Sequence, residues 1–372
     1  MFDVPSWPGR IVFFDRPCCA HIGRLNDGRI SVRIGLITFL IAVGQVVHAD
    51  DASKEGAYDS PRFSKILPGD KGSQWPTWIE GPGDTILMAF NPGDGEMRIA
   101  SSADGGHNWE VISQVGINSG YCYFTRLTDD GLLMAVYEGT GAARRIGWVR
   151  SDDHGRTWSK FHEITIAHPH IHPYGPILEM PDGRWAYCPY SQDAKDRTFR
   201  SLLIWSGDSG KTWSKPVAFP APGDGNVGLT EATLVQIGEK SFVAAIRADE
   251  GNNDAARDGF YLSRSPDGLI WSAPVPLGDI GRMPLFYRID NQWVLSYRQY
   301  DPQARRQYSA LRLSSDGNTW SKPYRINRGV NGTPFLVNFK RETILFNSRY
   351  PSREILMRDV VSIAGVERLQ QR

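Results

Sequence analysis

The chain has 372 residues, 41% of them hydrophobic and 22% charged, with a formal net charge of +1. That balance excludes a collagen, a coiled coil, a polytopic membrane protein and a disordered chain, and it offers no basic footprint for nucleic acid. Glycine (38), proline (24) and tryptophan (12) are abundant, so turns are many and the tryptophan positions need an account.

Residues 34–47 form an apolar run behind Arg29 and Arg33 and before Val47-His48-Ala49. A basic flank, a short apolar stretch and a small-residue ending predict a secretory signal cleaved after Ala49. The run is shorter than the roughly 20 residues of an ordinary membrane span. No stable span is therefore expected after cleavage; an uncleaved anchor is the alternative. Residues 1–49 are read as leader and signal, 50–59 as a flexible lead-in, and 60–372 as one domain, secreted or periplasmic. Cys122 and Cys188 are the only cysteines beyond the leader, which excludes a disulfide scaffold and leaves a single bond between them open.

A short pattern then recurs five times: Ser102–Trp109, Ser151–Trp158, Ser206–Trp213, Ser265–Trp271 and Ser314–Trp320, the last two copies one residue shorter. The tryptophans are 49, 55, 58 and 49 residues apart. Ser and Asp side chains bond nearby amides, Gly takes positive φ, and an alternating apolar stretch leads in, so each copy predicts a β-hairpin with Trp on the returning strand. A second pattern, two alternating strands around a turn, starts at Pro76, Phe124, Pro176, Ala232, Pro284 and Pro334, at separations of 48, 52, 56, 52 and 50 residues. Six units of four strands predict an all-β six-bladed β-propeller of antiparallel blades. Its last blade lacks an outer strand, which Pro61–Leu67 is expected to supply, closing the ring at its N-terminal strand.

The five hairpins resemble the Asp-box, or BNR repeat, of the sialidase superfamily, over about residues 60–360. In such folds the boxes lie on outer turns, so Asp104, Asp153, Asp208, Asp267 and Asp316 are expected to make turns and not chemistry. The site is expected in the central funnel, at the two residues before each inner-strand start and at the ends of the second strands. The resemblance implies an exo-glycosidase for an acidic oligosaccharide or glycoconjugate. Three Arg would clamp a carboxylate, a fork geometry suited to that group. A Tyr polarised by Glu would attack, and an Asp would serve as acid/base. Carried over residue by residue, Glu231 matches the Glu before the fourth inner strand. Arg247 and Arg298 match clamp positions, with Arg282 competing for the third. Asp94 lies in the first-blade connection of the acid/base. Gln74 stands where the first clamp Arg is expected, beside Trp75, and Thr333 where the nucleophilic Tyr is expected. Inter-blade ion pairs are the structural alternative for the arginines.

His168, His170 and His172 alternate before Tyr174, so an extended strand would put the three imidazoles on one side. No fourth ligand follows from spacing, and neither a metal nor a cofactor is inferred. His172 as base with Tyr174 as acid would instead suit a lyase acting on uronic acid glycans. A non-catalytic glycan-binding propeller is the third reading. Sugar, linkage and oligomeric state are not legible.

Overall fold

The structure, a computed structural model, describes residues 62–64, 74–139, 143–167, 170–192, 198–222, 227–249, 258–328, 333–348 and 356–361. The predicted signal lies outside them. The described residues contain no α-helix and are organised as antiparallel sheets.

The first sheet joins Gln74–Glu80, Ile86–Asn91, Arg98–Ser102 and Glu110–Gln114 in chain order. The second joins Tyr123–Arg126, Leu132–Glu138, Arg145–Ser151 and His162–Glu163. The third is more broken. Leu178–Glu179, Trp185–Tyr187, Phe199–Ser206 and Val217–Ala218 form its path, and the short pair Ile171–His172 and Tyr190–Gln192 extends it. Pro173, Pro176 and Pro189 bound those pieces, and proline cannot donate to a ladder.

Next comes a seven-stranded sheet where two separate four-stranded units were expected. Its 15-residue strand Val275–Ile289 pairs through its first part with Gly259–Ser265 and through its second with Gln292–Asp301. One bent strand thus ends one four-stranded meander and begins the next. The last sheet holds Phe335–Phe339, Glu342–Ser348 and Leu356–Val361, with Arg62–Ser64 paired antiparallel along Leu356–Val361.

The five box turns share one bonding scheme. In the second, Ser151 Oγ accepts from Gly155 N at 2.7 Å and donates to Asp153 Oδ1 at 2.8 Å. Asp153 Oδ1 also accepts the Arg156 and Thr157 amides. The Trp comes before the returning strand instead of lying on it, and its ring folds back over its own turn. Four of the five indoles donate Nε1–H to the box glycine carbonyl, at 3.1–3.2 Å. The box glycines have positive φ, and four of the five sit against another sheet. A Cβ on Gly210 would lie 2.8 Å from Trp148 of the second sheet. One on Gly106, in the first sheet, would lie 2.7 Å from Phe346 of the last. Asn338 N donates to Glu80 Oε1 at 2.9 Å, again joining last sheet to first.

The largest core cluster draws Trp78, Tyr123, Tyr174, Leu285 and Phe335 from five sheets, all nearly inaccessible. Burying such rings is the main stabilising term for the assembly. Cys122 and Cys188 are buried free thiols. Burial pushes the Cys122 thiol up to about 12, against a hydrogen bond with Thr77.

Candidate active site

The inner strands share an irregularity at their starts. Register slips between Gln74 and Thr77, between Thr230 and Ala232, and between Arg282 and Leu285. The residue just before the aligned start has φ of +50° at Trp75, +70° at Gly175, +26° at Glu231 and +59° at Met283. Each slip is a bulge, which adds a residue and re-aims a side chain. Positive φ is costly for Trp, Glu and Met, and such strain is typically kept where a site needs it. Proline follows three of the four positions and removes the amide that a regular ladder would need.

Glu231 is buried. Its Oε1 accepts from Arg247 Nη1 at 2.9 Å, and its Oε2 accepts from the Met283 amide at 2.9 Å. One strained residue is therefore held by the backbone of another. Arg247 also meets Asp249 at 3.4 Å and Asp258 at 3.3 Å. Burial works against its charge, but Glu231, Asp258 and Asp249 together raise its pKa well above the usual guanidinium value. Asp258 is 1% exposed and bridges Arg247 to the Nε of Arg282. Burial raises the Asp258 carboxyl, with Arg247 and Arg282 opposing. Arg298 is opposite Arg282 in register and buried. Burial lowers its pKa from 12.5 to about 10; the Glu231 charge opposes that shift, and the Arg282 and Arg247 charges add to it.

Phenols border this ionic cluster. Tyr121 is partly exposed, and burial followed by the Glu231 charge raises its pKa to about 12. Burial and then Glu231 raise Tyr190 further. Trp75 stacks on Tyr121 with ring centroids 5.3 Å apart.

The histidine segment is arranged differently. His168 lies outside the described residues. His172 stacks on Tyr190 at 4.9 Å and 7°, and its Nδ1 lies 2.7 Å from Arg144 Nη1. Burial, then Arg144, lowers its pKa to about 4. A guanidinium only donates, so Nδ1 accepts and the neutral ring carries its proton on Nε2. Tyr174 is 3% exposed and donates its hydroxyl to the Pro284 carbonyl at 2.9 Å. Asp94 lies three residues past Asn91, the register partner of Gln74. It pairs with Arg98 and accepts the Glu96 amide. Thr333 is buried and bonds Met283 Sδ at 3.3 Å.

Glu231, Arg247, Arg282 and Arg298, picked out from the sequence, thus share one cluster with Asp258 and Asp249, which were not; Tyr121 and Arg144, of the adjoining aromatic contacts, were not picked out either. Asp249 could have been found, since it lies two residues past Arg247 on the same strand face. Asp258, Tyr121 and Arg144 come from connections and carry no periodic signal.

No curated protein sequence matches the chain. Among solved structures it resembles a protein of unknown function from Dyadobacter fermentans, with TM-score 0.64 and 17% identity over 80% of this chain and 97% of that one. It also resembles the α-L-arabinofuranosidase of Fusarium graminearum bound to an iminosugar inhibitor, with TM-score 0.60 and 16% identity over 82% and 98%. A leech intramolecular trans-sialidase follows at TM-score 0.59 and 13% identity, over 82% and 71%. At such identities the likeness is one of fold. The family model described as "BNR repeat-like domain" matches residues 122–352, and the chain belongs to that family.

Proposed function

We propose that this chain is a secreted six-bladed propeller glycosidase that releases a terminal acidic sugar from a glycan. The blade count and ring closure are part of the proposal. They are supported by the shared strand Val275–Ile289, by the pairing of Arg62–Ser64 with the last sheet, and by contact of the first and last sheets at Gly106 and Glu80.

The observation that carries the activity is Glu231, held on a strained bulge between Arg247 and the Met283 amide and beside two further arginines. Asp258 pairs with both Arg247 and Arg282, and the buried Arg298 lies opposite Arg282 in register; carboxylate recognition is assigned to this arginine group, Arg298 included. An anion arriving at Arg298 would offset the burial and like-charge cost that lowers its pKa. Glu231 positions and polarises the attacking group, whether a water or the neighbouring phenol of Tyr121. Asp94, on the first-sheet connection, is assigned to protonate the leaving oxygen. Trp75 is assigned to the same rim, and Gln74 to the position of the first clamp.

Hydrolysis is preferred to elimination for two reasons. His172 offers an Nε2–H and no free basic nitrogen, and the Tyr174 hydroxyl is engaged in the core. The test is a panel of sialylated, uronate-terminated and neutral oligosaccharides assayed for new reducing ends and for unsaturated products. Reducing ends from acidic members alone are expected. Ultraviolet-absorbing unsaturated uronate, or turnover confined to neutral sugars, would sink the reading. Secretion predicts that protein recovered outside the cytoplasm begins at Asp50.

A further inference from the structure

The site has two unlike halves. Glu231, Arg247, Asp258 and Arg298 are buried. On the other side, six partly exposed groups run as one chain of contacts. Trp75 stacks on Tyr121, with ring centroids 5.3 Å apart and planes at 23°. Tyr121 leans on Tyr137 at 6.1 Å. Arg144 lies over the Tyr137 ring at 5.0 Å and donates to His172 Nδ1 at 2.7 Å. His172 then stacks on Tyr190 at 4.9 Å. This arc crosses from the first sheet through the second to the third. It also borders the acid: the Glu231 charge is felt at both Tyr121 and Tyr190.

Core packing accounts for only part of it: Trp75, Tyr137 and Tyr190 lean on the largest core cluster but are not enclosed by it. The core tryptophans Trp78 and Trp185 are 4% and 2% exposed, whereas every member of the arc keeps open surface. Trp75, moreover, is held at φ +50°, a conformation that bulky residues rarely take. Rings presented this way offer flat apolar faces with polar tips. Pyranose and furanose rings have the complementary form, an apolar C–H face edged by hydroxyls. The phenol hydroxyls, the Arg144 guanidinium and the His172 Nε2–H can meet those edges.

We infer that the arc from Trp75 to Tyr190 is a platform for the glycan beyond the terminal sugar, so that the substrate is an oligosaccharide or polysaccharide chain gripped over more than one residue. The inference rests on the reading of the Glu231 cluster as the glycan site, and names what lies next to it. Binding energy from such remote sugars can position the reacting one.

Calorimetric titration of the full chain with sialyllactose, and with galacturonate and arabinose ladders of one to five residues, tests this. For the ladder that binds, Kd should tighten about tenfold or more between one residue and three. Trp75→Ala should remove about fivefold to tenfold of that gain, a stacked ring's worth. Trp75→Phe should restore most of it. Tyr137→Leu, on a different sheet, should act in the same direction, with a melting curve confirming that each variant folds. Length-independent affinity, equal weakening of short and long sugars, or no binding by any ladder would overturn the platform. Ring-dependent, length-dependent binding without product release would leave the platform standing and remove the hydrolase. Product release at a rate indifferent to length would do the reverse.

Discussion

The outer box turns and the inner strand starts are both tight irregularities in an antiparallel sheet, but they are satisfied in opposite ways. Each box closes on itself. Asp153 takes the Arg156 and Thr157 amides and the Thr157 and Ser151 hydroxyls, all within four residues. Side-chain and backbone bonds from Thr157 hold its carboxyl at about 2, and Asp208 and Asp316 are held at about 2 through Thr212 and Thr319. The inner bulges close on distant partners. Glu231 bonds the amide of Met283, 52 residues away, and Arg282 bonds Asp258 across two strands. Equivalent positions there hold Trp75, Gly175, Glu231 and Met283. Repetition marks what every sheet needs, and divergence at a strained equivalent position marks what the molecule does once.

That contrast can be broken or sharpened by mutation. The largest effect is expected inside. Glu231→Gln should lower turnover by about 10² to 10⁴, the range for loss of a positioned acid–base group, as read by product release. Asp258→Asn leaves Arg247 and Arg282 sharing a buried site without their common counter-charge. It should cost about 3–5 kcal/mol in urea unfolding, and a cost under about 1 kcal/mol would mean the cluster is not a unit. Arg298→Gln should raise KM for acidic substrates roughly tenfold to a hundredfold, the worth of a hydrogen bond to a charged group. An equal change for neutral sugars would remove its assignment as the anion contact.

Outside, effects should be small and local. Asp153→Ala should cost about 1–2 kcal/mol, comparable to losing a helix cap, with kcat unchanged. The pH dependence follows the same division. Asp153, Asp208 and Asp316 are depressed below their ordinary 3.8, so their stabilisation is present above about pH 4 and lost as pH falls through about 2. Being exposed, they are screened by salt. His172 is depressed from 6.5 to about 4. Its contribution is complete above about pH 6.5 and falls away towards pH 4, because the unfolded chain takes up the proton first. His172→Gln should flatten the melting temperature across that interval, and an unchanged slope would contradict the buried neutral ring.

The same division explains what was legible in the sequence. The boxes repeat a local bonding scheme, so Ser151, Asp153, Gly155 and Trp158 announce their turn within eight residues. The inner starts were placed by alignment of Pro76, Pro176 and Pro284, and the structure puts bulges at Trp75 and Met283 and a positive-φ glycine at Gly175. Glu231 and its three arginines came from a resemblance tied to strand positions, which spacing preserves. Three things were not written locally. Tyr121 and Arg144 lie just outside strands, where no period applies. The pairing of Asp258 with Arg282 needs two strands to meet. The fusion of two sheets through Val275–Ile289 depends on one strand bending between partners.

The most direct measurement is the rate of reducing-end release from an acidic oligosaccharide panel by the wild-type chain and by Glu231→Gln, with folding of both verified by their melting curves. Measurable release by the wild type on at least one acidic member is expected, reduced by about 10² or more in the variant. Release that survives Glu231→Gln undiminished, or a folded wild type that releases nothing from any member, would contradict it.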